Sequence, residues 1–145
     1  MQIPWYLTAI GAALVWGIHY PLIDHALKKL SLFSVLLLTV LPLLLVLPFF
    51  SQDIAHDWKT FQTLPGYDKL AILCIGLTSV LASVLLFLSI GNKNATLASL
   101  IEITYPAFVV LFAFVLFRQM HLNASIAVGG LMIMAGAALI IVNSR

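Results

Sequence analysis

Five runs of about 20 apolar residues, each long enough to cross the hydrocarbon of a bilayer, leave this chain little choice of fold. They are read at 5–23, 32–50, 70–90, 95–117 and 124–142. Lipid offers no hydrogen bonds, so the backbone of each run must satisfy its own, and a helix does that within one segment. Composition agrees: 63% of residues are hydrophobic, 8% are charged and the mean hydropathy is +1.13, whereas about a quarter of the residues of soluble domains are charged. The expected fold is an all-α integral membrane protein with five transmembrane helices. Residues 1–145 are expected to form one membrane domain that holds any activity inside its bundle. The first run lacks the basic leader of a signal peptide and exceeds the usual length of its apolar core, so it is read as a retained helix.

The segment 51–69 is the long connection. Ile54, Trp58 and Phe61 fall at i, i+4 and i+7, with Asp53, Asp57, Lys59 and Gln62 on other faces. This pattern predicts a short amphipathic helix in the membrane interface, ended by Pro65-Gly66. With five spans, Lys59, Lys69 and Arg118 oppose Lys28, Lys29, Lys93 and Arg145 across the membrane. The two sides differ by one positive charge, so the positive-inside rule hardly selects an orientation. Two readings follow: a weak bias set by the Lys28-Lys29 pair, or dual topology with antiparallel pairing of copies.

The connections and spans hold no glycine-rich phosphate loop, no cluster of metal ligands and no nucleophile beside a base, and the four histidines are scattered. An enzyme is therefore the weaker class, and neither a cofactor, a metal nor a nucleic-acid partner is expected. The single cysteine, Cys74, lies mid-span and is read as a small packing residue.

Glu102 is the carboxylate inside an apolar run. An acid at bilayer depth is costly, so it marks either a transport site or a hydrogen bond that glues two helices. Ala95, Ala98, Ser99, Glu102, Tyr105, Pro106 and Val109 share one face of the fourth span, opposite Leu100, Leu111, Phe114 and Val115. In the first span Ala9, Ala12, Ala13, Trp16, His19 and Tyr20 share a face opposite Leu7, Leu14 and Ile18. Both small and aromatic faces are expected to point inward. At 1.5 Å per residue His19 lies roughly 8 Å deep and Glu102 roughly 12 Å deep from the same side, so they are expected to meet among Trp16, Tyr20 and Tyr105. A carboxylate beside aromatic faces suits an organic cation or an amino-acid-like compound. In this scheme Glu102 holds a proton when the site is empty and the substrate displaces it. Taken singly, the tyrosines and Trp16 also fit an interfacial belt or packing, and His19 a satisfied polar group near a helix end.

Gly129 and Gly136 in the last span, with Gly76, Ser79 and Ser83 in the third, are read as surfaces for close helix packing or dimer contact. Pro42, Pro48 and Pro106 are expected to free backbone carbonyls and kink their helices.

Three stretches carry a family resemblance: Trp16-Gly17 followed by His19 and Tyr20, the fourth-span sequence running into Glu102-Ile103-Thr104-Tyr105-Pro106, and the last-span pattern from Gly129-Gly130 through Met134 to Gly136. In these the chain resembles the EamA family of the drug/metabolite transporter superfamily, over nearly its whole length. The resemblance implies a carrier of small metabolites or drugs in the inner membrane. Usual members carry ten helices as two five-helix repeats, so it also implies that this chain is one repeat, completed by a second copy or a related half-transporter around a midplane site. The chain departs from the family at Thr39, where an arginine is common, and at Leu116-Phe117-Arg118-Gln119, where Leu-Gly-Glu is common. Roles tied to those charges do not carry over. It is also similar in scale to the four-helix small multidrug exporters, whose membrane glutamate lies in the first helix and is thus only an analogue of Glu102. Alternatives from other classes are a non-transporting membrane subunit and a carrier of a lipid-linked substrate.

Overall fold

The computed structural model describes residues 4–120 and 122–143, and among them every regular element is a helix. The elements are α1 (Trp5–Leu27), α2 (Leu32–Val46), α3 (Ser51–Thr63), α4 (Gly66–Asn92), α5 (Ala95–Glu102), α6 (Tyr105–Phe117) and α7 (Ala124–Asn143). Five helical stretches are long and apolar enough to cross a membrane: Trp5–Leu27, Leu32–Thr63, Gly66–Asn92, Ala95–Phe117 and Ala124–Asn143. Arg145, counted above among the charges of one side, lies outside the described residues.

Short polar residues start three of the helices. Ser31 Oγ accepts the Ser34 N–H at 3.4 Å ahead of α2, Asn94 Oδ1 accepts the Leu97 N–H at 2.8 Å ahead of α5, and Asn123 Oδ1 accepts the Ile126 N–H at 2.9 Å ahead of α7. Each side-chain oxygen takes up a first-turn N–H that has no partner within its helix.

The amphipathic segment is helical, but it does not stand apart from the second span. A 3-10 turn at Leu47–Phe50 joins α2 to α3 without a loop. Pro48 sits in the first positions of that turn, where a missing N–H breaks no existing bond. The resulting 32-residue stretch is longer than the roughly 20 residues that hydrocarbon requires, so the charged α3 half can leave the apolar layer. Trp58 and Phe61 stack at 5.7 Å, and with Ile54, Leu64, Ile72 and Leu73 they line a hollow of about 550 Å³ beside the start of α4. The break expected at Pro65-Gly66 is present. Leu64 is extended, as the residue before proline prefers to be, and Lys69 Nζ donates to the Gln62 carbonyl at 2.9 Å, closing the end of α3. α4 begins at Gly66, four residues before the expected start, because the first turn of a helix tolerates the polar Tyr67-Asp68-Lys69 sequence that a hydropathy reading excludes.

The chain divides into two compact units, one taking in the residues up to Leu22 and from Asn92 onward, the other Ile23–Gly91. In the first, α5 packs on α7 with small residues buried, Ala95 and Ala98 on α5 and Ala137 on α7. Gly130, Ile133, Ala137 and Ile140 form the shielded row of α7, at helical spacing. Gly129 is half-buried and Gly136 is exposed, and a Cβ on either would meet nothing within 4 Å. Among the described residues the close approach expected there does not occur, since the contact row runs through the neighbouring positions. In the second unit Ile23, Val35, Phe87 and Ile90 are buried, and Leu27 comes within 3.8 Å of where a Cβ on Gly91 would stand. Gly76 and Ser79 are exposed and Ser83 is half-buried, and nothing lies within 4 Å of a Cβ at Gly76. Packing here uses large side chains and leaves the small-residue row of α4 uncovered.

Candidate functional site

The site is built within the first unit from the middle of α1 and the junction of α5 and α6. Three residues of α1 at i, i+3 and i+4 carry aromatic rings on one face: Trp16, His19 and Tyr20. Trp16 meets His19 edge-on, with centroids 5.0 Å apart at 80°, and lies tilted against Tyr20 at 5.4 Å. His19 and Tyr20 stand 6.5 Å apart. Edge-to-face and tilted pairs of this kind match ring edges to ring faces and hold the cluster in one arrangement.

Tyr20 Oη donates a hydrogen bond to Glu102 Oε2 at 2.6 Å. A bond of this length lies in the range of charge-assisted O–H to carboxylate pairs. The tyrosine, and not His19, reaches the carboxylate: among the described residues His19 has only its ring contacts with Trp16 and Tyr20. Depth alone predicts that α1 and Glu102 meet at this level. Which side chain closes the gap is a matter of helix rotation, which apolar periodicity sets only loosely. Tyr105 opens α6, within electrostatic range of the Tyr20 hydroxyl. All five candidate residues thus belong to one neighbourhood, with Glu102 reached through Tyr20.

Glu102 occupies a special place in its span. It is the last residue of α5, and the helix breaks at Ile103-Thr104 before restarting at Tyr105. Pro106 lacks the N–H that would pair with the Glu102 carbonyl, and Thr104 turns back, giving its N–H and its hydroxyl to the Ile101 carbonyl at 3.1 and 2.9 Å. Tyr105-Pro106 carries the sequence signal for this break, which reads at first only as a kink. Interrupted backbone at membrane depth is tolerated where it is covered by protein or lines a cavity.

The faces are only partly turned inward. Ala95 and Ala98 are buried and Ser99 and Glu102 half-buried, as expected, whereas Tyr105, Pro106 and Val109 beyond the break are exposed. In α1, His19 and Tyr20 are half-buried, but Ala9, Ala12, Ala13 and Trp16 are as exposed as Leu7, Leu14 and Ile18. The expectation of an inward face presumes a neighbour in the same chain, and among the described residues the first part of α1 is exposed on every face. Trp16 remains 50% exposed and Tyr105 58%.

A carboxylate with one oxygen engaged by a phenol, aromatic faces beside it and an interrupted helix at its own residue make a site that attracts positive charge. The described residues contain no cluster of side chains able to hold a metal ion. Comparison with curated proteins and with solved structures returns no match. The profile of the EamA-like transporter family matches residues 3–142, which is nearly the whole chain. With five helices able to cross a bilayer and no other kind of regular element among its described residues, this multi-pass membrane protein belongs to the EamA-like transporter family, whose function is of the drug/metabolite transporter type.

Proposed function

We propose that the protein is a secondary carrier of small organic cations or cationic amino-acid-like compounds in the inner membrane, with Glu102 as the group that a proton and the substrate occupy in turn. The observation that carries this reading is the 2.6 Å bond from Tyr20 to Glu102, which sets the acid of the fourth span beside the rings of Trp16, His19 and Tyr20. A carboxylate at bilayer depth is costly unless an occupant neutralises it, and either a proton or a cation can do so. A cation that stacks on the rings supplies the neutralising charge, and the proton leaves. Glu102 receives the two occupants, Tyr20 orients it, and Trp16 and Tyr105 face the substrate.

Half-exposed Glu102 with exposed Trp16 and Tyr105 further supports assembly of two copies, or of this chain with a related half-transporter, so that the site is closed at the membrane midplane. The near balance of Lys59, Lys69 and Arg118 against Lys28, Lys29, Lys93 and Arg145 suits an antiparallel homodimer. In proteoliposomes the wild-type chain is expected to release protons when a cationic substrate is added and to accumulate that substrate inside acid-loaded vesicles as protons leave them. Glu102→Gln abolishes both while the protein still inserts and assembles. Flux and coupling that survive the substitution would overturn the proposal.

The second reading is a non-transporting membrane subunit, favoured by the same hydrogen bond taken as glue between α1 and α5. It requires that Glu102→Gln weaken assembly and that no flux change remain once assembly is restored.

A further inference from the structure

Two prolines act on the backbone of the site as well as on its shape. Pro106 removes the donor for the Glu102 carbonyl, and the next N–H along, that of Ala107, goes to the Thr104 carbonyl at 3.1 Å. Among the described residues no backbone N–H reaches the Glu102 carbonyl. Pro21, inside α1, likewise removes the N–H four residues after Gly17. Carbonyls point toward the C-terminal end of a helix, so that of Gly17 lies under the turn that carries Tyr20 and Pro21. Gly17 has no side chain, is exposed, and a Cβ built there would meet nothing within 4 Å, so no other segment packs against that side of the turn. The Tyr20–Glu102 bond ties these two stretches together. The two tied stretches thus carry a carboxylate whose Oε1 is left outside the tyrosine bond and, at Glu102 itself and at Gly17 one turn before Tyr20, two carbonyls whose regular helical donors are replaced by proline.

We propose that this site selects primary ammonium compounds over fully alkylated ammonium compounds of the same charge and ring system, the Glu102 carboxylate taking one N–H and the carbonyls freed by Pro106 and Pro21 taking the others. The inference rests on the cationic reading given above and sharpens it. A site made only of a carboxylate and an aromatic cage favours the opposite order, since a trimethylammonium group spreads its charge over methyl groups that pack on ring faces and needs no acceptors. Freed carbonyls reverse that preference, because an acceptor covered by methyl groups stays unpaired, and an unpaired polar group in a dry site is costly.

The test compares phenethylamine with its N,N,N-trimethyl analogue, both fully charged at pH 7, as ligands of the purified full-length protein in proteoliposomes. Binding is read by quenching of tryptophan fluorescence and by competition between the two. Phenethylamine is expected to bind about ten-fold more tightly, the worth of roughly one net hydrogen bond. Pro106→Ala returns an N–H to the Glu102 carbonyl and reduces that ratio toward one, with Pro21→Ala as the independent second variant, while Glu102→Gln weakens both ligands alike. Equal binding of the two, or tighter binding of the trimethyl compound, overturns the inference and leaves the cationic carrier standing if Glu102→Gln still weakens both. Binding of both that ignores Glu102→Gln, or binding of neither, overturns the inference together with the cationic reading beneath it.

Discussion

Removing one hydroxyl tests whether the contact at the centre of the site is real. Tyr20→Phe keeps the ring against Trp16, 5.4 Å away, and deletes the donor 2.6 Å from Glu102 Oε2. Hydrogen bonds to charged groups contribute about 1.5–3 kcal/mol. Side-chain bonds between membrane helices average about 0.6 kcal/mol and reach about 1.7. The short distance argues for the upper end of the membrane range and the half-buried partners argue against exceeding it, so the expected cost is about 1.5 kcal/mol, or roughly ten-fold in the unfolding equilibrium. Reversible unfolding of the purified protein by a denaturing detergent measures it, in three backgrounds. Tyr20→Phe costs about 1.5 kcal/mol beside the native acid and about 0.6 with Glu102→Gln, which keeps a neutral acceptor. With the apolar, similarly long Glu102→Met it costs nothing. An equal cost in all three backgrounds would show that the hydroxyl acts through something other than Glu102, and the site as described would be wrong.

Other expectations follow from single contacts. Asn94→Ala, which strips the cap from α5, should cost about 1 kcal/mol in the same assay, and Asn94→Ser should recover most of it. Arg118 ends α6 in the left-handed region at φ 55°, with its guanidinium 5.6 Å from the Phe114 ring. Arg118→Gly relieves about 1–2 kcal/mol of backbone strain and loses about 0.5 of cation–π attraction, so a net gain in stability is expected. The same change leaves Lys59 and Lys69 facing Lys28, Lys29, Lys93 and Arg145. Reporters active on one side only, fused after Arg145, should signal from both sides in the parent and from one side predominantly in the variant; a parent signal from one side alone removes dual topology. Among the described residues a Cβ at Gly129 or Gly136 meets nothing within 4 Å, so Gly129→Ala and Gly136→Ala should leave the stability of the single chain unchanged. A fall in cross-linked dimer would then assign this row to the partner contact, and an unchanged dimer would free it of that role.

How much of this was legible in the residues differs from link to link. The five spans are set by the free energy of apolar transfer, a sum over many side chains, and a sum tolerates local exceptions. Their boundaries depend on single residues. Nothing in the apolar pattern tells that Pro48 will be absorbed into a 3-10 turn, or that Gly66 will start a helix through Tyr67-Asp68-Lys69. That Glu102 meets α1 at the level of His19 and Tyr20 was readable from residue counts, since rise per residue is fixed by helix geometry. Its partner was not. His19 and Tyr20 differ by one position and 100° of rotation, and both lie on the half-buried side of α1, so the choice rests on a helix rotation that the apolar pattern fixes only loosely. Similarly, Gly129 and Gly136 mark a row that can be packed, while the row actually packed, through Gly130 and Ala137, lies one position along.

Exposure of apolar side chains in this chain calls for no explanation, because lipid receives them as well as a protein neighbour does. The polar groups are another matter. A charged residue at the centre of a lone span costs about 2.5–3.5 kcal/mol on an insertion scale, a leucine nothing. The Tyr20 bond satisfies one oxygen of Glu102 and leaves the other, along with the Trp16 and Tyr105 surfaces, for something outside the protomer to meet. Any energetic gain from a partner is therefore concentrated at the site itself and not on the glycine rows, which can face lipid at no cost. A second copy inserted upside down would bring its own Trp16 and Glu102 to nearly the same depth, since both lie well inside their spans. In such an assembly the pairing surface and the transport site are the same surface, and a substitution that weakens one must be read for its effect on the other.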